Sequence, residues 1–128
     1  MKITAISIIL ASVLIGGIIV LSANKNSDDG KIFNNVSVVD GVQIITIKAK
    51  GGYLPRVTTA QADIPTVLKI ETLGTFDCSS ALVLPSLGYR KNLAPSGVTE
   101  IELPSQKTGT NFKGLCAMGM YNFTINFN

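Results

Sequence analysis

Short β-branched runs set apart by turn residues constrain this chain most. The last run is the clearest. Tyr121, Phe123, Ile125 and Phe127 fall on one face of an extended segment, and Asn122, Thr124 and Asn126 fall on the other. A period of two is that of a strand with one buried face. Val98 to Leu103 alternates apolar and polar and stops at Pro104, and Thr66 to Thr72 alternates in part. Val42 to Ile47 is β-branched and follows Asp40-Gly41, a hairpin signal. Ser80 to Leu84 is a buried-looking run ended by Pro85, and Thr110 to Leu115 completes the set. Gly51-Gly52, Ala62-Asp63-Ile64-Pro65, Pro95-Ser96-Gly97 and Lys107-Thr108-Gly109 punctuate these runs. Short strands at such spacing predict an all-β fold, a β-sandwich.

The start of the chain reads differently. From Ile3 to Asn24 there is no charged residue, and Lys2 precedes the run. Crossing a bilayer takes about 20 apolar residues, and a basic residue belongs on the cytoplasmic side. A signal-peptide core is shorter, roughly 7–15 residues, and ends in a small-residue cleavage site. No clean Ala-x-Ala is present here. The expectation is one N-terminal hydrophobic helix over residues 1–23, an uncleaved transmembrane anchor or else a signal segment. Residues 24–31 are polar and turn-rich and read as a linker. Residues 32–128 form the exported domain, on the extracytoplasmic side (periplasm or cell surface), or secreted if the segment is cleaved. At 128 residues the chain has room for one such domain.

Charge narrows the partners. The net charge is +3, and Lys48, Lys50, Arg56, Lys69, Arg90 and Lys91 are scattered rather than clustered with aromatics. That pattern is a solvated β surface and gives no support to nucleic-acid binding.

The chemistry lies in sulfur. Cys116-Ala117-Met118-Gly119-Met120 places three soft sulfur atoms within five residues, and the only other cysteine is Cys78. Thiolate and thioether ligands select soft monovalent metals, Cu(I) above all. Ala117 is small and Gly119 permissive, so this loop can fold its side chains toward one point. Strand ends at one pole of a sandwich lie close together, so a loop carrying Cys78 can meet the loop carrying Cys116. Two cysteines in an exported domain also suggest a disulfide, and an oxidised pair cannot supply two thiolates. Met120 has core packing at the head of the last strand as its alternative role, and in Met118-Gly119-Met120 one methionine can face the metal while the other shields it. Asp77 reads as a turn or capping residue, since a hard carboxylate suits Cu(I) poorly.

Enzymatic readings are weak. The chain has no histidine, so Ser-His and Cys-His pairings cannot form. No Cys-x-x-Cys and no Gly-rich phosphate loop follows a strand. The expectation is that the protein is not an enzyme.

Gly52-Tyr53-Leu54-Pro55, Phe76-Asp77-Cys78-Ser79, Leu82-Val83-Leu84-Pro85-Ser86-Leu87-Gly88 and Cys116-Ala117-Met118-Gly119-Met120-Tyr121 together resemble the cupredoxin-like domain of the EfeO type. Relatives of that domain occur with copper and silver export systems and commonly carry glycine where Ala117 stands. The resemblance implies a Greek-key β-sandwich with a metal site at one pole. It implies that Cys78 stands where an upstream histidine ligand would be, that Cys116 is the loop cysteine, and that Met118 or Met120 replaces the loop histidine and axial methionine. With no imidazole, type 1 electron transfer by Cu(II) is disfavoured. The expected function is membrane-tethered binding of Cu(I) or Ag(I) by Cys78, Cys116, Met120 and Met118, for sequestration or for transfer to a metal transporter. The alternatives are an interaction domain with a Cys78–Cys116 disulfide and no metal, and an electron-transfer cupredoxin.

Overall fold

The computed structural model describes residues 34–128. The expected N-terminal helix at 1–23, the linker at 24–31 and the domain start at 32 lie outside the described residues. Among those residues there are ten strands, two short 3-10 turns and no α-helix, and no helix is long and apolar enough to cross a membrane.

The strands are β1 (Val36–Val39), β2 (Val42–Ala49), β3 (Tyr53–Leu54), β4 (Val57–Ala60), β5 (Thr66–Thr72), β6 (Ala81–Leu84), β7 (Tyr89–Asn92), β8 (Gly97–Leu103), β9 (Asn111–Cys116) and β10 (Asn122–Phe127). One sheet runs β1-β2-β5-β8 with β3 on the far part of β2, and the other runs β4-β10-β9-β6-β7. Both are mixed: β2 pairs parallel with β5, and β10 pairs parallel with β4. The β1–β2 turn is Asp40-Gly41, with φ of 52° and 77°. Both central residues of a type I′ turn need positive φ, which Asp tolerates and Gly adopts freely.

The core lies between the sheets. Ile45, Ile47, Leu68, Ile70 and Ile101 point inward from the first sheet; Leu82, Leu84, Phe112, Phe123, Ile125 and Phe127 point inward from the second. Each such side chain, fully buried, contributes about 1.5–3 kcal/mol. Alternation in β2, β5 and β10 puts every second residue into this layer. Phe123 lies opposite Gly114 on β9, and its ring occupies the space a side chain at Gly114 would fill. That ring meets Tyr53 edge-on, with centroids 5.0 Å apart. The aromatic pair links the second sheet to β3 beneath the site.

Candidate metal centre at the sulfur pole

Four loops meet at one end of the sandwich. The β2–β3 turn joins the β5–β6 segment where the Gly51 N–H donates to Asp77 Oδ2 at 2.7 Å. The same segment is tied to β2 by the Thr75 hydroxyl donating to the Ala49 carbonyl. It is tied to the β7–β8 segment by the Thr75 N–H donating to the Pro95 carbonyl at 2.9 Å. The β9–β10 turn joins β6 where the Ala117 N–H donates to the Ala81 carbonyl at 2.9 Å.

Asp77 organises the cysteine beside it. It caps the 3-10 turn Cys78–Ser80. Its Oδ1 accepts from the Ser79 N–H at 2.8 Å and also from the Ser79 hydroxyl. The Ser79 hydroxyl, then the Ser79 and Gly51 amides, hold this carboxyl below the usual carboxylate range. Tyr53 supports the same turn from below, donating its hydroxyl to the Ser79 carbonyl at 3.1 Å. Burial, then the negative charge of Asp77, pushes the Tyr53 phenol up to about 12.

Cys116 ends β9 and is fully buried, while Cys78 is only partly buried. Leu82 lies opposite Cys116 across the ladder. The turn after Cys116 is tight: the Gly119 N–H donates to the Cys116 carbonyl at 2.8 Å, and Gly119 has φ of 71°. A side chain at that φ is strained, which explains glycine there. The Cys116 N–H donates to the Tyr121 carbonyl at 3.0 Å, and the Tyr121 N–H donates to Cys116 Sγ at 3.4 Å.

The two cysteines converge, and the structure joins them: Cys78 and Cys116 form a disulfide with Cα atoms 5.7 Å apart. In this oxidised form neither sulfur is a thiolate. Met118 and Met120 lie on the adjoining turn and point outward, 80% and 63% exposed. Met120 lines a groove of about 440 Å³ with Lys50, Arg56 and Tyr121. Core packing is therefore not the role of either methionine. Asp77 caps and tethers, as its place in the sequence suggested. Among the described residues no three Cys, Asp or Glu side chains gather.

Tyr53 and Ser79 were not singled out for the site in the sequence. The Asp77-x-Ser79 spacing, which permits a side chain to cap its own turn, was the available signal. Gly114, beneath Phe123, had none.

No curated protein matches the chain. Two of the solved structures that share the fold are copper-binding domains. One is the metal-binding domain of the Cu(I)-exporting P-type ATPase CopA of Streptococcus pneumoniae, solved with Cu(I); it is 22% identical, with a TM-score of 0.65 over 73% of this chain and 92% of that one. The other is a copper-binding protein solved in its apo form; it is 20% identical, with a TM-score of 0.67 over 77% of this chain and all of that one. The sequence itself matches the cupredoxin-like domain over residues 12–125. With two mixed β-sheets and that match over most of its length, the chain belongs to the cupredoxin-like domain family.

Proposed function

We propose that this protein binds a soft monovalent metal, Cu(I) or Ag(I), when the Cys78–Cys116 pair is reduced. The observation that carries the reading is convergence: two residues 38 positions apart place their sulfurs together at one pole. Reduction turns that bridge into two thiolates already side by side. Met118 and Met120 stand on the turn that follows Cys116 with exposed thioethers, and either is a candidate third soft donor. Thiolates and thioethers suit Cu(I), and the chain has no imidazole for Cu(II). The fold neighbours, both copper-binding proteins, support copper as the cargo.

The role follows from a site that holds metal and performs no bond chemistry on it: sequestration, or transfer to a metal transporter. The protein is not an enzyme in this reading. The apolar segment 1–23 tethers the domain to the membrane with the sulfur pole on the extracytoplasmic side. Thiols must lose protons to bind, so affinity falls as pH drops.

The bridge itself favours a second reading, a metal-free interaction domain whose disulfide is purely structural. Thiol titration and Cu(I) competition against a chromogenic chelator separate the two. Metal uptake at one Cu(I) per chain after reduction, and none before it, supports the first. No uptake after reduction to two free thiols supports the second.

A further inference from the structure

The two sulfurs of the bridge differ in surroundings. Cys116 has no exposed surface, and its backbone is held to β6 through Ala117 and to Tyr121 across the turn. Cys78 is partly exposed and begins the three-residue turn that leads into β6. The Tyr121 N–H points at the sulfur of Cys116.

Thiol–disulfide exchange needs a nucleophile to approach one sulfur while the other departs. Access favours Cys78 as the sulfur attacked. Departure favours Cys116, because an amide N–H already faces the sulfur that takes the negative charge. We infer that Cys78 is the thiol-entry site of this protein, the position at which a low-molecular-mass thiol forms a mixed disulfide and opens the bridge. In the first step the incoming thiolate sulfur bonds to Cys78 Sγ, the Cys78–Cys116 bond breaks, and its electron pair stays on Cys116. In the second step another thiolate attacks the outer sulfur of the adduct. A small-molecule disulfide leaves and Cys78 becomes a thiolate. Two thiolates are consumed, and one disulfide is exchanged for another. The opening step does not depend on metal; its use as the step that readies the pole for loading rests on the function proposed above.

The test uses the oxidised full chain in detergent micelles, with reduced glutathione as the probe. The reaction is quenched with acid, free thiols are capped with N-ethylmaleimide, and both cysteine peptides are read by mass spectrometry. Glutathione on Cys78 with the maleimide on Cys116, exceeding the reverse pattern on the order of tenfold, is the expected result. Equal labelling, a preference for Cys116, or a chain whose cysteines are both capped before any reductant is added overturns the inference. Should Cys116 recapture the bridge before quenching, single-cysteine variants decide. Cys116→Ala, with folding checked by circular dichroism, should react with glutathione disulfide about tenfold faster than Cys78→Ala. Equal rates overturn the inference. Cu(I) uptake by the fully reduced chain is scored separately, so a failure of the metal reading leaves this result intact.

Discussion

Reducing the Cys78–Cys116 bridge should weaken the fold by an amount that follows from where the two cysteines sit. They are 38 residues apart, and closing a loop of that length removes unfolded-chain entropy worth about 4 kcal/mol at 25 °C. A single domain of this size has a total stability of roughly 5–15 kcal/mol. The bridge therefore contributes a large share of that stability. For a domain of fewer than about 100 residues, each 1 kcal/mol moves Tm by about 4–8 °C, so reduction should lower Tm by about 15 °C or more. The effect should enter through the unfolded chain. The urea m-value should rise on reduction, because the unlinked chain exposes more surface when it unfolds. Urea titrations with and without excess dithiol, with thiol content measured at each endpoint, test this. A reduced protein whose midpoint and m-value both match those of the oxidised form would refute the argument. So would an isolated protein that already carries two free thiols.

Other perturbations separate packing from chemistry. Gly114→Ala puts a Cβ into the ring of Phe123, with Cε2 at 2.9 Å; overpacking of this kind should cost about 1–3 kcal/mol. Adding Phe123→Leu should recover part of that loss, and a neutral Gly114→Ala in urea titration contradicts the packing described. Tyr53 should give the fold an alkaline dependence. Its phenol ionises near 10 when unfolded and at about 12 when folded. A raised folded pKa means that its stabilisation is complete below pH 10 and is lost as pH rises toward 12. Tyr53→Phe should show a shallower loss than the parent across that window, and identical slopes argue against it. Met120→Ala should weaken Cu(I) binding by the reduced protein at least about tenfold, a loss of about 1.4 kcal/mol, with the thiol count unchanged. Met118→Ala measured in parallel identifies which thioether contributes more.

What could be read in advance depended on burial. β10 and β8 match their expected spans closely because one face of each is packed and the other solvated. The Asp40-Gly41 turn was legible because few residue pairs fit its backbone. β2 runs on to Ala49, past the expected end at Ile47, since Lys48 interrupts the apolar run while its neighbours stay inward. β1, β4 and β7 carried no usable signal. β1 and β7 are mostly exposed edge strands without alternation. β4 is held chiefly by its parallel pairing with β10, a contact 67 positions distant at Val57↔Thr124 (124 − 57). Ser80 was expected to open a strand but closes a 3-10 turn instead, because Asp77 caps that turn through Ser79. At the site, the meeting of Cys78 with Cys116 was foreseeable from strand ends sharing a pole. Whether the pair is bonded was not, since the same convergence serves a disulfide and a two-thiolate metal site equally well. The outward position of Met118 and Met120 was not legible either, because methionine suits a core gap as readily as a surface loop.

Whether the sulfur pole is a metal site is decided most directly by titrating the fully reduced chain with Cu(I) in the presence of a competing chelator, without oxygen. Uptake of one equivalent, loss of both free thiols from colorimetric detection, and no uptake by the same chain left oxidised are the expected results. A reduced chain with two titratable thiols that leaves all the Cu(I) on the chelator has no metal site at that pole.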